Sequence, residues 1–157
     1  MNAGPIVVGV DGSPAGERAL RWAMDEAAQR KLPLHVVNAY PYEPLADWTM
    51  TSEQAARVRS EVLVDDALRV ASVGRLEFPR IIRHCVRGPA AEALEAQARD
   101  ASMLVVASHS GSRLRQVLLG STSAHCVRHA TVPVVVIPPS DGQHAGAAIR
   151  AGREAGR

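Results

Sequence analysis

Apolar and polar positions alternate along the chain in two rhythms, short β-branched runs and longer segments of helical period. Residues 6–10 form an apolar run that ends in Asp11-Gly12-Ser13, a turn signal. Ser13 is placed to cap a helix, and Pro14 suits its first position. Ala19, Leu20, Ala23 and Ala27 recur at helical spacing up to Arg30, and Leu32-Pro33 stops that helix. Residues 34–39 predict a second strand. A strand, a helix and a strand in this compass make a βαβ unit, whose crossover is right-handed.

Residues 40–51 carry Pro41 and Pro44 and read as a loop. Residues 52–73 predict a helix with Leu63, Ala67, Val70 and Ala71 on its apolar face. The third strand, residues 81–86, contains Arg83 and His84 and suits a sheet edge. Gly88-Pro89 opens a helix that runs through Ala98. Residues 103–107 are wholly apolar and predict an interior strand. A loop over 108–119, a short helix over 121–129 and a fifth strand over 132–137 follow. Pro133 demotes that last strand to an edge or an end. The sum is an α/β fold, a single five-stranded parallel sheet with helices on both faces. The domain spans residues 1–138. The remainder, 139–157, is rich in Gly, Ala and Arg and is expected to be a disordered tail, with a weak amphipathic helix from Ala145 as the alternative.

Composition narrows the function classes. The 18 basic and 16 acidic residues give a net charge of +2, too close to balance to imply a nucleic-acid partner. All but one of those 18 basic residues are Arg, which fits a genomic bias better than a row of phosphate contacts. Aromatic residues make up only 3%, so base-stacking platforms are disfavoured and the core falls to Val, Leu, Ile and Ala. No apolar run is long enough to span a membrane. The first residues lack a basic region ahead of an apolar one, so no signal peptide is expected. Cys85 and Cys126 show no paired spacing, and both are expected to be buried apolar residues of a reduced, cytoplasmic chain.

Chemistry concentrates after the first and fourth strands, because ligands of open α/β sheets sit beyond the strand carboxyl ends where the strand order reverses. The first such loop carries Asp11, whose carboxylate suits ribose hydroxyls or a base N–H; alternatively it only starts the turn and helps cap the helix. The second runs through Ala107, Ser108, His109, Ser110 and Gly111 to Gly120, Ser121 and Thr122, with Arg113 and Arg115 between. It is small, hydroxyl-rich and partly basic, and it leads into a helix N-terminus, which favours an anion. A plainly capped helix behind a solvated basic loop is the other reading. There is no GxxxxGK[ST], GxGxxG or GxSxG sequence. His125 and His129 are four apart, but their expected role is local, at a helix C-terminus that favours positive charge, rather than as metal ligands.

These residues together resemble the universal stress protein family. The resemblance covers residues 5–138 and rests on Ile-Val-Val-Gly-Val-Asp-Gly-Ser at 6–13, Leu-His-Val-Val-Asn-Ala at 34–39, Val-Arg-Gly-Pro-Ala at 86–90, Leu-Leu-Gly-Ser at 118–121 and Pro-Val-Val-Val-Ile at 133–137. It implies the open adenine nucleotide alpha-hydrolase-like fold, strand order 3-2-1-4-5, and a homodimer joined through Val134–Ile137. One branch of the family binds ATP and carries G-x-x-G, nine residues, then G-[ST]; another dimerises without nucleotide and acts through protein partners. Here the last element stands at Gly120-Ser121, while Ala107 and Ser110 occupy the first two glycine positions. A non-glycine residue at positive φ costs about 1–2 kcal/mol, and Gly111 offers the bend one place later. The resemblance implies nucleotide contacts from Gly9, Asp11 and Ala39 on the nucleoside side. It implies contacts along the ribose and phosphates from Ala107, Ser108, His109, Ser110 and Gly111, and phosphate contacts from Gly120, Ser121 and Thr122. Mg²⁺ would ride on the ATP phosphates without protein ligands. The implied function is a regulatory ATP-binding stress-response protein with slow turnover at most, and no nucleic-acid or membrane partner.

Overall fold

Strands that are apolar on both faces belong in the middle of a sheet, and the observed order follows that rule. The computed structural model describes residues 3–41, 52–108 and 119–139. Its elements are β1 (Ile6–Gly9), α1 (Pro14–Arg30), β2 (Leu34–Tyr40), α2 (Glu53–Ala71), β3 (Ile81–Arg87), α3 (Ala90–Gln97), β4 (Met103–Ala107), α4 (Ser121–His129) and β5 (Val134–Ile137). The sheet order is β3-β2-β1-β4-β5, and every pairing is parallel. Ile6 registers with Leu34 on one side and Met103 on the other, so β1 is the central strand and Ile6, Val7 and Val8 are fully buried. The expected fold class and strand order are both observed.

Two apolar clusters flank the sheet. Ile6, Val8, Leu34, Val36 and Val105 pack beneath α1 and α2 with Leu20, Met24, Val64 and Leu68. Val7, Val37, Leu104 and Val106 pack on the opposite face with Leu94 and Ala98 near α3 and Cys126 of α4. Buried Ala19, Ala23 and Ala27 let α1 lie close to the strands. Ser13 caps α1 by accepting from the Gly16 amide at 3.0 Å, and Lys31 ends it at φ 55°. Ser52 caps α2 in the same way through Ala55 at 3.1 Å. Arg21 donates to the Val70 carbonyl at 2.8 Å, and Arg75 donates to the Arg21 carbonyl at 2.8 Å while pairing with Asp25, which ties α1 to the end of α2.

Three local expectations change. The buried row of α2 is Ala56, Ser60, Val64, Leu68 and Ala71 rather than the face of Leu63, Ala67 and Val70. The sheet takes the row whose small residues allow close approach, and Leu63, Ala67 and Val70 turn toward the start of α1 beside Ser13 and Glu17. β5 begins at Val134 instead of 132, because Pro133 has no N–H for the ladder; its carbonyl still accepts from Leu104 at 2.9 Å. Cys126 is buried as expected, but Cys85 is only half-buried, since β3 is an edge strand. The tail beyond residue 139 lies outside the described residues.

Candidate functional site

The crossover from β1 goes one way to β2, and β4 lies on the other side, so the carboxyl ends of β1 and β4 diverge and open a cleft. Its volume is about 240 Å³. Gly9, Asp11, Ala39, Ala107, Gly120, Ser121 and Thr122 all line it. Ser108 does not. It is fully buried, and both its amide (2.9 Å) and its hydroxyl (3.3 Å) donate to the Ile137 carbonyl, which fastens β4 to β5. His109, Ser110 and Gly111, with Arg113 and Arg115, lie outside the described residues.

One wall of the cleft is apolar and the other is the start of a helix. Val37, Ala39, Ala90, Leu94 and Val106 form the apolar side. Gly9 packs against Leu94, and a Cβ at that position would stand 2.9 Å from Leu94 Cδ1, so a larger residue there would push the leucine side chain aside. Opposite, α4 starts at Gly120 with no side-chain cap, so the amides of its first turn are left to other acceptors. Its first turn carries no acidic residue, and its last turn carries Arg128 and His129. The Ser123 hydroxyl donates to the Ala107 carbonyl at 2.9 Å, which sets that helix end against the end of β4. Lys31 is the only non-glycine residue with positive φ among the described residues, so Ala107 sits in ordinary strand conformation and needs no glycine freedom.

Asp11 opens α1 as well as facing the cleft. Its Oδ1 accepts from the Ser13 amide at 2.9 Å and from the Ser13 hydroxyl. A Cβ on Gly16 would stand 2.7 Å from the same oxygen, so the small residue in the first turn leaves room for the carboxylate.

Residue-by-residue reading of the sequence missed Asn38. It is 6% exposed and lines the cleft floor. Its Nδ2 donates to the Val10 carbonyl at 2.7 Å, and its Oδ1 accepts from the buried Ser60 hydroxyl at 2.6 Å. One amide thus joins the end of β1, β2 and α2 under the cleft. The signal was present, as a single amide in an otherwise apolar stretch of an interior strand must find partners. Gly16 and Leu94 were also missed, and only packing reveals them.

Histidines of α4 find an acid from another element. His125 Nε2 lies 3.0 Å from Glu95 Oε2 of α3, and the His129 ring lies 4.3 Å from that of His125. The hydrogen bond from His125 holds the Glu95 carboxyl below its usual range. Burial, with Glu95 nearby, pushes the Cys126 thiol up, so it is no ready nucleophile. No group of three or more His, Cys, Asp or Glu among the described residues is arranged to hold a metal ion. No helix among them is long and apolar enough to cross a membrane.

An open parallel sheet with a cleft at its switch point, apolar on one side and faced by a helix N-terminus on the other, defines an α/β protein of the doubly wound kind with a candidate ligand cleft. The chain belongs to the universal stress protein family, whose model matches residues 3–138. It is 36% identical over 143 residues to the universal stress protein Rv2623 of Mycobacterium tuberculosis, a match covering 87% of this chain and 48% of that protein. The chain therefore spans about half the length of the curated relatives it matches. Among solved structures, universal stress protein UspA from Lactobacillus plantarum superposes with a TM-score of 0.70 at 19% identity, covering 87% of this chain and 99% of that one. The universal stress protein from Archaeoglobus fulgidus in complex with dAMP superposes with a TM-score of 0.60 at 24% identity, with the same two coverages of 87% and 99%.

Proposed function

We propose that this chain binds ATP in the cleft between β1 and β4 as a regulatory ligand, and acts in a cytoplasmic stress response with slow hydrolysis at most. The observation that carries the reading is the uncapped start of α4 facing an apolar wall across the switch point. The amides of Ser121 and Thr122 and their hydroxyls suit phosphate oxygens. Ala39 and its apolar neighbours suit the adenine, and the Asp11 carboxylate, which lines the cleft beside Ser13, suits the ribose side. The dAMP complex of the Archaeoglobus fulgidus relative supports an adenine nucleotide as the ligand class. Mg²⁺ would be held by the nucleotide's phosphate oxygens and water.

The second reading is a dimeric stress protein without nucleotide, acting through protein partners. It is favoured by Ser110 at the second glycine position and by the engagement of Asp11 with Ser13. Calorimetric titration with Mg²⁺-ATP, cyclic AMP and adenosine separates the two. Binding of ATP, weakened by Gly120→Val through blocked backbone approach, supports the first reading. Undetectable ATP binding by both the wild type and Ser110→Gly leaves the second.

A further inference from the structure

Away from the cleft, two imidazoles of adjacent strands meet on the face of the sheet. His84 lies opposite Val37 in the β2–β3 register, and His35 is two residues before Val37, so both project on the side of α3 and α4. His35 Nδ1 and His84 Nε2 are 3.1 Å apart, the ring centroids are 4.7 Å apart, and both residues are half-buried. The cleft wall at Ala39 is four residues further along β2, roughly 13 Å at strand rise.

Two ring nitrogens at this distance either share one proton or ligate one cation. For metal–nitrogen bonds of ~2.0–2.1 Å, two ligands on one ion stand about 2.9 Å apart at a right angle and about 3.3 Å apart at the tetrahedral angle. The observed 3.1 Å falls between these. We propose that His35 and His84 form a two-histidine site for a divalent transition cation, taking Cu²⁺ in preference to Ni²⁺ or Zn²⁺, with water in the remaining positions. On binding, whichever ring donates the shared N–H moves that proton to its other nitrogen, so both facing nitrogens present lone pairs; the protons balance without release.

Imidazole is a good ligand for all three ions, and Cu²⁺ leads the affinity order at a nitrogen site. Arg80 is the cation near His35 and opposes both protonation and metal. Cys85 alternates to the α1–α2 face and is no candidate ligand. The pair bridges an interior strand and an edge strand, so an ion there would pin β3 to β2. The contrast with His125 and His129 lies in their partners: His125 Nε2 is held by Glu95 at 3.0 Å.

The test uses the full chain and CuCl₂ as the probe. In wild-type protein, substoichiometric Cu²⁺ is expected to broaden the imidazole NMR signals of His35 and His84 ahead of those of the other four histidines. Calorimetry is expected to give one site whose affinity falls at least tenfold in His35→Gln and in His84→Gln. The melting temperature should rise with Cu²⁺ in the wild type and not in either variant. Earlier broadening at His125 and His129, or equal affinity in the wild type and both variants, overturns the proposal. The NMR arm needs no substitution, so it stands even if a variant folds poorly.

Discussion

Asn38→Ala is the sharpest probe of how the cleft floor is built. The substitution removes the hydrogen bonds to the Val10 carbonyl at 2.7 Å and from the Ser60 hydroxyl at 2.6 Å. Each bond contributes about 0.5–1.5 kcal/mol net, and a buried partner left unmade costs about 1–3 kcal/mol. Ser60 is only 3% exposed, so its hydroxyl is stranded. The Val10 carbonyl borders the cleft, where water can replace the lost amide, which pulls the total toward the lower end. The expected loss is about 2–4 kcal/mol, or a fall in melting temperature of about 2–4 °C per kcal/mol for a domain of this size. Ser60→Ala removes one bond and leaves Asn38 Oδ1 unpartnered, for an expected ~1–2 kcal/mol. The double variant should lose less than the sum, because the hydroxyl stranded in Asn38→Ala is then absent. Urea unfolding of the four proteins, followed by circular dichroism with unchanged m-values, measures all terms. A loss below about 1 kcal/mol in Asn38→Ala, or strict additivity, would refute the claim that this amide holds β1, β2 and α2 together.

The remaining expectations are simpler. Ser121→Ala should weaken ATP binding by about 0.5–1.5 kcal/mol, or up to about 3 if the hydroxyl meets a charged phosphate, while leaving adenosine unchanged; calorimetry showing equal losses for both ligands contradicts a phosphate role. Burial, and for His35 also His84 and Arg80, lowers the pKa of both histidines of the pair. The unfolded chain then binds more protons as pH falls through 6.5, so stability present above that pH is lost toward the depressed folded values. The fall in melting temperature between pH 7.5 and 5.5 should be smaller in the His35→Gln/His84→Gln double variant, and an equal fall would show that these rings do not titrate as argued. β5 pairs with β4 on one side only, and its four apolar residues are half-buried, so we expect a two-fold dimer through Val134–Ile137. Sedimentation of a monomer at micromolar concentration would exclude it.

Local chemistry carried most of the architecture. The run Ile6 to Val8, the Ser13-Pro14 start, the Leu32-Pro33 stop and Pro133 each act through backbone conformation or hydrogen-bonding capacity within a few residues, and those effects are written in the residue types themselves. Arg83 and His84 marked β3 as an edge for the same reason, since charge is costly in the middle of a parallel sheet. Strand order was not legible from pattern; it came with the family resemblance, because the pattern does not say on which side of β1 the chain returns. What only the tertiary structure decided are relations between distant residues. Which row of α2 meets the sheet depends on how closely Ala56 and Ser60 let it approach. Asn38 finds Ser60 and Val10, His125 finds Glu95, and His35 finds His84, across separations that no local periodicity encodes. Ser108 shows the limit most plainly: its place in the sequence looked like part of a ligand loop, but the β4–β5 pairing turns its amide and hydroxyl inward to Ile137, since a buried polar group takes the partner that folding brings to it.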